Sequence, residues 1–437
     1  MSELHIQTSR GLSGRITPQG NKNEALPIVA ACLLNPGVTR LENLPEILDV
    51  RAMLQIVQGL GARVERSADG HSAVIQADTL DGSQPDPVLC AQIRASLLLA
   101  APLLARRSQA GRGSVILPRP GGDRIGRRRI DTHLAVFETL GATVDTSPRD
   151  VRLSLDGPFR GTHLFLDEAS VMATENAVMA AAMAEGDSVI ENAACEPHVQ
   201  QLCRLMEQFG ARITGIGSNR LCITGTGGVP TPRELSHRVL EDLIEVGSFI
   251  ALAAATGSEL SIPGVTPANY WMVAKAFERL GVRFTLEGNT LHVPANQELE
   301  VQSDRFGEVP RIHDAPWPGF PADLSSIAVV LACCANGSVL IHEWMFESRL
   351  YWVDSLIGMG ARITQCDPHR VLVNGGAPLF GTRLSSPDIR AGMALLIAAL
   401  RAEGTTVIQN IRQIDRGYER IDERLAALGA RIKRVAE

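Results

Sequence analysis

The sequence predicts an α/β fold in which six copies of one unit form two halves of three, with apolar helices inside and sheets outside. Three observations predict it. A helix-end signature recurs six times, a β-branched run leads each copy, and several helices are apolar on nearly every side.

The helix-end signature first reads Leu60-Gly61-Ala62-Arg63-Val64. It returns as Leu140-Gly141-Ala142-Thr143-Val144, Phe209-Gly210-Ala211-Arg212-Ile213, Leu280-Gly281-Val282-Arg283-Phe284, Met359-Gly360-Ala361-Arg362-Ile363 and Leu428-Gly429-Ala430-Arg431-Ile432. The glycines are 80, 69, 71, 79 and 69 residues apart, so a three-unit half is duplicated. Glycine suits a helix C′ position that turns the chain into a strand. The second marker is Gly37, Gly113, Gly186, Gly257, Gly337 and Gly404, each before a short strand-forming run such as Ser338-Val339-Leu340-Ile341. Each unit therefore reads helix, strand, loop, helix, strand, with a βαβ-type crossover. The first helices, over 95–105, 173–184, 324–335 and 391–401, are apolar all round and belong inside; the second helices, such as 421–428, are amphipathic.

A chain of 437 residues exceeds one ordinary core, so two domains are expected. The stretch Gly227-Gly228-Val229-Pro230-Thr231-Pro232 reads as a linker, within a boundary region around 228–240. The first three-unit domain is expected over 22–238, carrying the loop around Asp123; residues 1–21 with 239–437 form the second. The strand near 4–7 is free to pair with either half. The net charge of −6 argues against a nucleic-acid partner. No apolar run has the length of a membrane span and the first residues lack a signal-peptide pattern, so a cytoplasmic protein is expected. Eight cysteines without a C-x-x-C pair suit a reducing compartment and argue against a zinc site.

A helix N-terminus carries partial positive charge, which disfavours basic residues in its first turn. Lys22 with Asn23, Arg94 and Arg390 nevertheless open three of the inner helices. An anion bound there explains all three together; the alternative is that these side chains reach solvent or pair with nearby carboxylates. Asp242 and Asp323 read as N-caps, and Asp323 is also a candidate base. A loop from Pro118 to His133 places Arg119, Arg124, Arg127, Arg128 and Arg129 near Asp123, among glycines. It has neither a dinucleotide fingerprint nor a P-loop ending. It is a candidate phosphate-gripping lid, or else a solvated turn.

The motifs Gly20-Asn21-Lys22-Asn23-Glu24-Ala25-Leu26-Pro27, Gly121-Gly122-Asp123 with Arg128, Phe320-Pro321-Ala322-Asp323, Phe346-Glu347-Ser348-Arg349, Asp388-Ile389-Arg390-Ala391-Gly392 and Ile414-Asp415-Arg416-Gly417-Tyr418-Glu419-Arg420 run through nearly the whole chain. In them the chain resembles the enolpyruvyl transferase superfamily, and within it the branch acting on UDP-N-acetylglucosamine. The resemblance implies a two-domain inside-out α/β barrel of six βαβαββ-type units in two pseudo-threefold halves. It implies transfer of the enolpyruvyl group of phosphoenolpyruvate to the 3′-hydroxyl of UDP-N-acetylglucosamine with release of phosphate, without metal or cofactor. By the same resemblance Lys22, Arg128 and Arg416 hold phosphoenolpyruvate, with Arg349 and Arg390 beside them. Asp323 is the base and Asp123 the acid, at a position where most members carry a reactive cysteine. Substrate contacts are implied for Asn23, Arg94, Arg128, Arg129, Ile130, Asp131, Thr132, Glu168, Ala169, Ser170, Val171 and Met345. Leu48 and Glu168 stand where members often carry lysine, and Arg129 replaces the usual proline. These departures leave open another uridine-nucleotide acceptor, or a UDP-sugar-binding paralogue without catalysis. The oligomeric state is open as well.

Overall fold

The computed structural model describes residues 2–435 apart from Asp81, Ser83, Arg112 and Arg124. Arg124, one of the loop arginines, therefore lies outside the described residues. Two compact units emerge: one of residues 1–19, 123–128 and 241–437, the other of 20–122 and 129–240.

In the first of these units three helices, Leu243–Thr256, Ser325–Cys334 and Ile389–Arg401, pack on one another at the centre. Every residue of Leu243–Thr256 and of Ser325–Cys334 is buried. Such a sequence would be insoluble as a surface helix; here each buried leucine or isoleucine contributes roughly 1.5–3 kcal/mol by leaving water. The helices approach closely at Gly247, where an added Cβ would sit 2.8 Å from the Leu324 side chain. Outside them lie three four-stranded sheets, each with one parallel and two antiparallel pairings. Glu3–Gln7 joins the sheet of Arg383–Ser385, Thr405–Gln409 and Ile432–Val435, so the N-terminal strand belongs to this unit.

The other unit repeats the plan with Lys22–Ala31, Ala100–Gln109 and Val171–Ala182 inside. A 3₁₀ stretch, Arg94–Leu99, leads the second of these, where a single helix over 95–105 was expected. Its sheets run Glu234–Arg238, Val38–Glu42, Ser72–Gln76, Arg63–Arg66; then Arg212–Thr214, Arg220–Thr224, Asp187–Glu191, His163–Phe165; and, among the described residues, three strands of Ser114–Pro118, Asp150–Ser154 and Thr143–Thr146. Five of the six repeats also carry a hairpin strand beyond the expected pattern, such as Ser72–Gln76 after Arg63–Arg66; in the sixth, Glu3–Gln7 pairs with Ile432–Val435 in its place.

The repeated helix end is a Schellman turn. Gly61, Gly141, Gly210, Gly281, Gly360 and Gly429 all have φ between +82° and +111°. In every copy the next residue donates its N–H to the carbonyl five residues back, from Ala62 to Val57 through Ala430 to Leu425, at 2.9–3.2 Å. A side chain at these glycines would strain the turn that feeds the strand.

Within the boundary region around 228–240, after the stretch 227–232 read as linker, Glu234–Arg238 is a strand parallel to Val38–Glu42. His237 is buried there and hydrogen-bonds Glu24 at 2.8 Å, and the Arg233 N–H is held by the Asn35 side chain. The segment 123–128, expected with the first half of the chain, groups with the unit of 241–437. Arg416 donates to Asp123, the Ser348 N–H to the Ile125 carbonyl and the Arg127 N–H to Glu347, and these bonds tie it there.

Candidate active site

Asp323 lies in the short turn Ala322–Leu324 that leads into the buried Ser325–Cys334 helix. It is not the cap expected from its position: no helix N–H is given to its side chain. Instead Arg349 donates to one carboxylate oxygen, and Arg390 donates to the other at 2.9–3.0 Å. Both guanidiniums are about 5% exposed or less. Burial pushes the Asp323 pKa up, but Arg390 and Arg349 outweigh it and hold it far below the usual carboxylate range. The cap of the Ile389–Arg401 helix is Asp388, which accepts from the Arg390 and Ala391 N–H groups, while Asp242 caps Leu243–Thr256 as expected.

Around this centre the same unit gathers two further cations. Arg416 donates to Asp123 at 2.5 Å and to Gln413 at 3.0 Å. Arg128 has its guanidinium 6.0 Å from the Phe346 ring, and the Arg349 guanidinium is 5.4 Å from the same ring. Arg390 packs 5.6 Å from the Tyr418 ring. Phe346 and Tyr418 thus present π-faces that orient three of the four guanidiniums. Burial lowers the Arg128 pKa, Asp123 raises it, and Arg349 lowers it again. Four guanidiniums face two carboxylates, Asp123 and Asp323. Such an array suits a compact ligand bearing several negative charges, since guanidinium binds carboxylate and phosphate in planar, forked geometry.

The remaining expected residues, Met345 apart, belong to the unit of 20–122 and 129–240. Asn21 caps the Lys22–Ala31 helix by accepting from the Glu24 N–H. Lys22, buried, pairs with Asp49 at 2.8 Å. A carboxylate partner was the alternative left open for the cationic helix starts, and both Lys22 and Arg390 have one. Asn23 is half-buried. Arg94 donates to the Arg129 carbonyl at 2.8 Å, and Arg129 pairs with Asp131 and Asp167 at 3.2 and 3.3 Å. The Thr132 hydroxyl also donates to Asp167. Ile130 immediately precedes the Asp131–Thr139 helix. Glu168 is exposed and Ala169 half-buried, while Ser170 caps the helix that Val171 begins. Met345 is half-buried, with its N–H 3.4 Å from Asp314.

Asp49, Asp167, Asp314, Glu343, Phe346 and Tyr418 received no role from sequence. The one local signal for Asp49 is its place as an acid in the first turn of the helix Leu48–Gly59. Asp314 and Glu343 gave none, because their partners are distant in the chain.

Over residues 6–425 the chain matches the family model described as EPSP synthase (3-phosphoshikimate 1-carboxyvinyltransferase). It is 48% identical over 434 residues to the UDP-N-acetylglucosamine 1-carboxyvinyltransferase of Treponema denticola, covering 99% of both chains. It is 50% identical over 433 residues to the protein of that name from Bradyrhizobium diazoefficiens, covering 99% of this chain and 98% of the relative. The chain belongs to the UDP-N-acetylglucosamine 1-carboxyvinyltransferase family of enolpyruvyl transferases. The fold agrees with solved family structures. The enolpyruvyl transferase NikO from Streptomyces tendae superposes with a TM-score of 0.88 at 24% identity, covering 100% of this chain and 99% of that one. An EPSP synthase from Acinetobacter baumannii gives 0.74 at 17% identity, with both chains fully covered. The inside-out arrangement of three inner helices and three outer sheets per unit is that of the enolpyruvyl transferases.

Proposed function

We propose that the chain transfers the enolpyruvyl group of phosphoenolpyruvate to the 3′-hydroxyl of UDP-N-acetylglucosamine and releases phosphate, a peptidoglycan-precursor reaction. The observation that carries this reading is the guanidinium cluster of Arg128, Arg349, Arg390 and Arg416 about Asp123 and Asp323, in a chain about half identical to family members over its full length.

The chemistry is an addition followed by an elimination. The sugar hydroxyl oxygen bonds to C2 of phosphoenolpyruvate, its proton passes to a base, and C3 gains a proton. The resulting ketal then breaks its C2–O bond to phosphate as C3 gives up a proton. Lys22, Arg128 and Arg416 are assigned to the phosphate and carboxylate of phosphoenolpyruvate. Asn23, Arg94, Arg129, Ile130, Asp131, Thr132, Glu168, Ala169, Ser170, Val171 and Met345 are assigned to the UDP-sugar. Asp323 is the base and Asp123 the acid.

The electrostatics add a condition to these roles. A carboxylate clamped by two buried guanidiniums is a weak base. Anionic groups of phosphoenolpyruvate compete for Arg349 and Arg390, and each contact they take returns basicity to Asp323. Base strength then appears together with the substrate, matched to the step that uses it. The test is product analysis: with both substrates, proton NMR of the nucleotide product must show the two vinyl protons of an enol ether. A nucleotide recovered without them would overturn the proposal.

A further inference from the structure

Beside Arg349 lies a second carboxyl group, one the reaction above does not use. Glu343 follows the strand Gly337–His342 and is completely buried, with Oε2 3.8 Å from Arg349 Nε. The side chains of Asp314 and Ser325 are the polar groups within reach of its oxygens. The groups facing it come from every neighbouring element. Arg349 comes from the segment after it and Asp314 from the end of the Arg311–His313 strand. Ser325 starts an inner helix, and His369 has its ring nitrogen 2.7 Å from the Glu343 backbone carbonyl. Asp314 is buried too and accepts from the Trp344 and Met345 N–H groups at 2.8 and 3.4 Å.

We infer that Glu343 is a positioning residue for the transfer reaction: it backs the Arg349 guanidinium, and its proton decides whether that guanidinium is committed to Asp323. Protonated, Glu343 is a neutral neighbour, and Arg349 directs its charge to Asp323 and the ligand side. Ionised, it offers Arg349 a second buried carboxylate and repels Asp314, which holds the Trp344-Met345 backbone. Burial pushes the Glu343 pKa up, and Asp314 adds to this against the pull of Arg349, to about 9. The group is therefore protonated at neutral pH, and the switch falls on the alkaline side.

The functional consequence rests on the proposed reaction, so the test has two arms. The first compares kcat/KM for phosphoenolpyruvate at pH 7.5 and pH 10 (more than one pH unit below and about one above the titration) within wild type and within Glu343→Gln. The wild-type value must fall about tenfold across that range, with the fall centred near 9, and the fall must be absent in Glu343→Gln. A variant that keeps the wild-type alkaline fall contradicts the inference. The second arm needs no turnover. A carboxyl whose pKa is raised in the folded state binds a proton on folding between its unfolded and folded values, so stability falls as pH rises through that window. The Tm of Glu343→Gln relative to wild type must therefore climb from pH 5 to about pH 9 and then level off. A flat difference would overturn the inference even if the enzyme turns over as proposed. Loss of turnover in wild type, with the Tm difference as stated, would condemn the reaction and leave the proton assignment standing.

Discussion

Arg416 donates to the Asp123 carboxylate at 2.5 Å within one compact unit, across 293 residues of chain. That bond, with the Ser348 N–H to the Ile125 carbonyl, anchors the loop to the unit of 241–437. It also places a carboxylate, not a thiol, against the arginine cluster.

A carboxylate paired with arginine is a much poorer nucleophile towards an epoxide than a thiolate. Fosfomycin is accordingly expected to give no time-dependent inactivation and no mass adduct. Asp123→Cys is expected to gain both, because the new thiol would sit beside Arg416, where the thiolate is favoured. Intact-mass measurement with and without fosfomycin checks the pair.

Asp323 neutralises two buried guanidiniums. Asp323→Asn leaves both without their charge partner and is expected to cost about 2–3 kcal/mol of stability, discounted for the partial exposure of the carboxylate. Activity should drop about a hundredfold or more if the residue is the base. Urea unfolding and steady-state kinetics measure the two effects separately.

The pH dependence of that destabilisation has a definite sign. A carboxyl held below its ordinary value stabilises the fold fully above the unfolded pKa, and the contribution fades as pH falls towards the folded one. The difference between wild type and Asp323→Asn should be constant from pH 8 to about pH 5 and shrink only below about pH 4. A difference that already declines between pH 7 and pH 5 would contradict the two-arginine clamp.

Glu175 behaves in the opposite way. It is fully buried in the Val171–Ala182 helix, one of its oxygens has no hydrogen-bond partner, and burial with nearby Glu196 pushes its pKa well above the ordinary range. Folding therefore keeps it protonated while the unfolded chain releases the proton. Glu175→Gln should raise Tm at pH 8 by more than at pH 4.5, measured by scanning calorimetry.

How much of this was legible depended on the range of the interaction. The six helix ends could be read because Leu-Gly-Ala carries its own mechanism: a left-handed glycine and a bond five residues back. The inner helices could be read because burial on all sides leaves no polar stripe. The strand Glu234–Arg238 gave no local signal, because its polar residues pair with a strand some two hundred positions earlier. Asp323 looked like a cap because caps are local, whereas Arg349 and Arg390 reach it from 26 and 67 residues away. Glu343 and Asp314 were invisible for the same reason. The site roles came from family resemblance, and the charges at helix starts supplied only a pointer to an anion.

The most direct test of the central claim is phosphate release from phosphoenolpyruvate in the presence of UDP-N-acetylglucosamine, UMP or shikimate 3-phosphate. Release with UDP-N-acetylglucosamine and only background with the other two is the predicted result. Background release with UDP-N-acetylglucosamine, or faster release with shikimate 3-phosphate, would contradict it.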